Sequence, residues 1–128
     1  MVDVSPKAVT ARRVRAECFV ILGPEVMATL QGDDFRTKKG SVVQTASLAG
    51  VMASKQCSSL SPLCHPLPLD HCDIEIAPAG DDRLHVLCTC ATTGKTGVEM
   101  EALTGASVAA LTVYDMCKAV NPAIAITD

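Results

Sequence analysis

Asp115 and Lys118 stand three positions apart near the end of Thr93–Val120, which reads TGKTGVEMEALTGASVAALTVYDMCKAV. On a helix that spacing puts a carboxylate and an ammonium on one face, where they can pair. Such a pair suits proton transfer and the neutralisation of developing charge. Leu111-Thr112-Val113-Tyr114 and Met116-Cys117 surround Asp115 with apolar residues, so both charges are expected to be partly desolvated. Glu99 and Glu101 fall in the first turn of the same helix, where its dipole already favours acids. Fourteen positions separate Glu101 from Asp115. On one straight helix that is about 21 Å. A ligand touching both ends must be long, or a second subunit must supply one end; a shared site is expected.

His65 lies in Pro62-Leu63-Cys64-His65-Pro66, a loop stiffened by proline on both sides. A rigidly held imidazole suits acid–base work or hydrogen bonding, although a lone loop histidine is commonly just solvated. His71 and His85 lack such framing and read as structural. Arg12, Arg13 and Arg15 cluster near the N-terminus, and Lys38 and Lys39 precede Gly40, so an anion would find cations in both places. Gly94-Lys95-Thr96 is not a P-loop, because Thr89 occupies the position of the first glycine. It reads as a turn between strand and helix, with a weaker capacity to hold an anion.

The seven cysteines (18, 57, 64, 72, 88, 90 and 117) read as reduced, small hydrophobic residues. Cys88 and Cys90 are two apart on a strand and face one side, in the core or as a weak redox pair. Cys64-His65 with His71-Cys72 raises the question of zinc. Adjacent side chains in a strand point opposite ways, so no metal site is expected.

The 128 residues make one domain, 48% hydrophobic, with one Tyr, two Phe and no Trp. Its core must be aliphatic. A net charge of −3 and the lack of aromatic platforms exclude a nucleic-acid partner. No apolar run approaches the length of a membrane span, and the polar N-terminus lacks a signal-peptide core. A cytoplasmic protein is expected, or a mitochondrial one with its targeting segment removed.

The elements that position these residues follow from periodicity. Residues 14–22 predict a strand, and Pro24 starts a short helix with Gly32 just past its end. Asp33–Lys39 predicts a charged loop. Ser41–Gln56 predicts a helix, with Val42, Val43, Ala46, Ala49 and Ala53 at helical spacing. Three prolines make Ser58–Pro68 extended or turning. His71–Ala77 and Leu84–Ala91 alternate as a hairpin, with Cys72, Ile74, Ile76, Leu84, Val86, Cys88 and Cys90 inward. A helix over Val98–Val120 stops at Asn121-Pro122, and Ala123–Thr127 predicts a last strand. Strand, helices, hairpin and long helix predict an α+β fold, an antiparallel sheet with helices on one face.

The long helix block, together with Leu63-Cys64-His65-Pro66-Leu67 and the opening Met1-Val2-Asp3-Val4-Ser5, resembles the cyclic pyranopterin monophosphate synthase family of molybdenum cofactor biosynthesis. The resemblance runs to about Val120. It implies a ferredoxin-like fold assembled as a hexamer, a trimer of dimers. The implied activity is that of a phosphorus–oxygen lyase. It converts a cyclised dihydro-GTP, (8S)-3',8-cyclo-7,8-dihydroguanosine 5'-triphosphate, to cyclic pyranopterin monophosphate and pyrophosphate, without a redox cofactor or metal. By position, Asp115 and Lys118 would be the catalytic pair. Leu63, Cys64, His65, Glu99, Met100 and Glu101 would line the substrate site, and Arg12, Lys39 and Lys118 would meet the triphosphate.

Three positions depart from the family pattern: Ser41 follows Lys39-Gly40 where Asp is usual, Ser47-Leu48-Ala49-Gly50 lacks a common arginine, and Ser61 replaces an apolar residue. A Lys- and Gly-rich C-terminal tail is also expected in the family and is absent from these 128 residues. A catalytically impaired, ligand-binding relative is therefore the second expectation.

Overall fold

Alternation along Thr10–Ile21 (β1) buries Ala16, Cys18 and Val20 while leaving Arg13, Arg15 and Glu17 in solvent. One face of the sheet is thereby committed to the core. The computed structural model describes residues 1–128. After β1 come α1 (Pro24–Gly32), β2 (Arg36–Thr37), β3 (Gly40–Ser41), α2 (Val42–Lys55) and α3 (Cys57–Leu60). Then follow β4 (His71–Pro78), β5 (Arg83–Gly94), α4 (Glu99–Cys117) and β6 (Ala125–Thr127). The main sheet has the order β4-β5-β1-β6, antiparallel throughout, so the fold is α+β. No helix is long and apolar enough to cross a membrane.

The predicted hairpin forms as β4 and β5, with Leu84, Val86, Cys88 and Cys90 fully buried. β1 starts earlier than its alternation predicts. β5 runs on to Gly94, which gives Thr10 to Arg13 partners in the ladder. Asp33–Lys39 is not wholly a loop. β2 and β3 pair through Thr37 and Gly40, and this small hairpin carries Lys38-Lys39 at its tip. Gly40, at φ 110°, supplies backbone geometry that a side chain would strain. The stretch expected to be extended opens with the one-turn α3, because its prolines begin only at Pro62. Ser41 accepts a hydrogen bond from the Gln44 amide at 3.2 Å and so caps α2, as an Asp there would.

α2 and α4 cross at two glycines. A Cβ on Gly105 would overlap Ser54 Oγ and come within 2.7 Å of Cys88 Sγ and 3.2 Å of the Gly50 carbonyl. One on Gly50 would meet the Gly105 carbonyl at 2.9 Å. Small residues let α4 lie directly on the sheet, where Ala102, Ala106, Ala109, Ala110 and Val113 are buried. The core is aliphatic as expected: Phe35 and Tyr114 only flank it.

Candidate functional site

Lys39 and Lys118 converge on one carboxylate. Lys118 Nζ donates to Asp115 Oδ1 at 2.8 Å, and Lys39 Nζ donates to Oδ2 at 2.9 Å. The first contact follows from helical spacing. The second joins residues 76 positions apart and required the β2–β3 hairpin to fold against the end of α4. A cavity of about 460 Å³ opens there, with Arg36, Lys38, Lys39 and Lys118 facing Asp33 and Asp115 among its lining residues. In a chain of net charge −3, this is a local excess of cations.

The expected desolvation of Asp115 does not occur. Its side chain is 50% exposed and that of Lys118 is 54% exposed. Helical rotation sends Val113, Met116 and Cys117 inward and leaves Asp115 on the outer face. Pairing tunes the site instead: hydrogen bonds from Lys118 and Lys39, with their charges, hold the Asp115 carboxyl down at about 2. The same contact with Asp115 raises Lys118, so at neutral pH this end presents a carboxylate and an ammonium.

A pH prediction follows. The folded-state value of Asp115 is depressed below the ordinary carboxylate value of about 3.9. The pair's contribution to stability is therefore complete above that ordinary value and is lost as pH falls towards about 2. A carboxyl NMR titration should find Asp115 ionised through pH 4, with its midpoint rising in Lys118→Ala. An ordinary midpoint in the unaltered protein would show that the triad does not hold in solution.

At the other end of α4, the Leu63–His65 loop lies against the first turn of the helix. A cleft of about 180 Å³ is lined by Leu63, Cys64, His65, Glu99, Met100 and Glu101, among others. All six residues expected to line the substrate site at this end of α4 thus meet in one place. Glu99 and Met100 are exposed, whereas Glu101 is only 3% exposed. Cys64 Sγ approaches Glu101 Oε1 at 3.6 Å and Cys57 Sγ at 3.8 Å. Burial, with the Cys57 thiol and the Glu101 charge beside it, pushes the Cys64 thiol up to about 12. His65 Nε2 lies 2.6 Å from the Val2 carbonyl, which can only accept, so that nitrogen carries a proton. The N-terminal segment thereby covers His65 and also receives Lys95, whose Nζ donates to the Ser5 carbonyl at 3.3 Å.

Arg12 does not join Lys39 and Lys118. Its Nε donates to the Gly94 carbonyl at 3.1 Å, where β5 runs out towards α4, so the three expected triphosphate cations are divided between the two ends. His85 pairs with Glu17 at 2.6 Å and stacks on Phe19, a structural role as read. Cys64 and Cys72 fall into separate clusters, so Cys64, His65, His71 and Cys72 do not form one zinc site. Sequence reasoning passed over Arg36 as a site residue and Cys57 as the neighbour of Cys64. Arg36 carried only its charge as a signal, and Cys57 carried none.

The sequence model of the MoaC family matches residues 1–128. A cyclic pyranopterin monophosphate synthase of Xanthomonas oryzae pv. oryzae is 54% identical over 126 residues, covering 98% of this chain and 76% of that protein. One from Xanthomonas campestris pv. campestris is 55% identical over 121 residues, covering 94% and 73%. Cyclic pyranopterin monophosphate synthase 3 of Mycobacterium tuberculosis is 50% identical over 128 residues, covering 100% and 71%.

Proposed function

The chain belongs to the MoaC family, and from that premise we propose that it is a lyase that makes cyclic pyranopterin monophosphate in molybdenum cofactor biosynthesis. Its substrate on this reading is (8S)-3',8-cyclo-7,8-dihydroguanosine 5'-triphosphate, and its second product is pyrophosphate. The observation that carries the reading is the convergence of Lys39 and Lys118 on Asp115 beside a cation-rich cavity. A triphosphate needs several cations, and its arrival would draw Lys39 from Asp115 while Lys118 stays paired with it. A substrate hydroxyl then attacks the innermost phosphorus. The new O–P bond forms as the bond to pyrophosphate breaks, and the hydroxyl proton passes to a base. The Lys118 ammonium neutralises charge gathering on the phosphoryl oxygens, and Asp115 fixes its position. The conversion balances without an electron donor or acceptor.

The other end of α4 supplies the contacts for the base-derived ring: Glu99 and Glu101 accept hydrogen bonds, and His65 and Cys64 close the cleft. The two ends are about 21 Å apart along the helix, which supports a site completed by a second subunit. Exposed Met100, Leu103 and Leu111 on α4, with Leu48 and Met52 on α2, support an apolar face for a homo-oligomer, on this reading a hexamer built as a trimer of dimers. The strand order β4-β5-β1-β6, with helices crossing between strands, supports a ferredoxin-like topology.

Incubation with the cyclised dihydro-GTP tests the reading. Pyrophosphate and cyclic pyranopterin monophosphate are expected to appear together, one to one. Binding without release of pyrophosphate would identify a folded, ligand-binding relative instead.

A further inference from the structure

Cys57 opens α3, Cys64 lies on the loop beyond it, and Glu101 projects from the first turn of α4. One ligating atom from each lies within 4.8 Å of the other two. Cys57 Sγ and Cys64 Sγ are 3.8 Å apart, and Cys64 Sγ is 3.6 Å from Glu101 Oε1. A tetrahedral ion with bonds of about 2.3 Å to sulfur and about 2.0 Å to oxygen needs edges of about 3.8 Å and about 3.5 Å. The Cys57–Cys64 and Cys64–Glu101 edges already have these lengths. The third, from Cys57 to Glu101, lies within 4.8 Å and closes by a small side-chain movement. Thr104 Oγ1 stands 3.5 Å from Cys57 Sγ, placed to hydrogen-bond a thiolate there.

Glu101 points to a cation independently. Its side chain is nearly fully buried, and its one side-chain hydrogen bond within the chain comes from the Cys64 thiol, a weak donor. A carboxylate set beside two thiols, with so weak a donor as its partner, has the chemistry to take a cation. The cleft beside Cys64 and Glu101 gives that partner a way in.

We propose that Cys57, Cys64 and Glu101 form a site for a soft divalent cation of the zinc class, its fourth position open to the cleft. The second cysteine cluster, Cys72, Cys88 and Cys90, is less suited. Cys88 and Cys90 are wholly buried beneath Ser54, and no carboxylate stands among the three thiols. If the proposed function holds, a bound ion takes Cys64 and Glu101 away from substrate, and zinc acts as a competitive inhibitor.

The test titrates reduced, purified protein with cobalt(II) alone, then displaces it with zinc. One equivalent per chain is expected, with sulfur-to-cobalt charge-transfer absorption that zinc removes. Cys57→Ala and Cys64→Ser should each weaken binding by about 100-fold, while Cys72→Ala leaves it unchanged. Circular dichroism and thermal melting establish that each variant is folded, and Cys64 is exposed enough for its serine variant to keep the core intact. Stoichiometric binding lost in Cys72→Ala but kept in the other two would overturn the proposal, as would no charge-transfer absorption at one equivalent. Because this titration uses no substrate, its failure leaves the proposed lyase activity untouched.

Discussion

Lys118→Ala is expected to abolish product formation, lowering kcat by about 10³-fold or more while the chain stays folded. The Lys118 side chain is 54% exposed, and its one side-chain hydrogen bond runs to Asp115 at 2.8 Å, so removing it opens no cavity. Asp115→Asn keeps the shape of the residue but deprives Lys39 and Lys118 of their shared anion. A loss of similar size is expected. Combining the two should cost little more than either alone, because groups that act as a unit are not additive. The measurement is pyrophosphate release alongside circular dichroism of each variant. Unchanged turnover in both would remove the pair from the chemistry. A shared site adds a sharper signature: inactive Asp115→Asn and Glu101→Gln chains, refolded together, should recover part of the activity that neither has alone.

Gly105→Ala is expected to destabilise the protein by about 2–3 kcal/mol, lowering Tm by roughly 10 °C. The added carbon would be driven into Ser54 Oγ and Cys88 Sγ at the crossing of α2 and α4. Ser54 Oγ also donates to the Glu101 carbonyl at 2.9 Å, so a shift there reaches the first turn of α4 and the cleft beside Cys64 and His65. Gly32→Ala is the matched control, since no atom lies within 4 Å of the carbon it adds and the end of α1 gains helix propensity. Its Tm should hold or rise slightly. Equal melting of Gly105→Ala and the unaltered chain would mean that the crossing has slack the structure does not show.

Much of this was legible without coordinates, for a local reason. Period-two alternation fixed the inward face of β4 and β5, and the Asp115–Lys118 contact follows from 3.6 residues per turn. The long helix, its stop at Asn121-Pro122 and the aliphatic core follow likewise from short-range pattern and composition. Motif length identified the family, since LCHPL and the α4 block are each too specific to arise from amphipathic patterning. Boundaries were less legible. β1 reaches back to Thr10 because β5 is there to pair with it, and pairing is not a property of either strand alone.

Exposure of Asp115 was misread from its neighbours in sequence. Apolar residues on either side do not bury a helical residue, because successive side chains are rotated about 100° apart. Which way that face points depends on where the sheet lies. The low carboxyl value therefore comes from Lys39 as well as Lys118, and Lys39 arrives through a hairpin that periodicity did not reveal.

The sequence by itself determined the fold class, the family and the residue types at each end of α4, because these depend on periodicities and motifs within a few turns of chain. Only the tertiary structure decided that Lys39 shares Asp115 with Lys118, that Arg12 stands with the opposite end, and that Cys57 and Cys64 flank a buried Glu101. Those three outcomes depend on how the β2–β3 hairpin, β1 and the α3 loop dock against α4, and docking is settled by packing between segments distant in sequence.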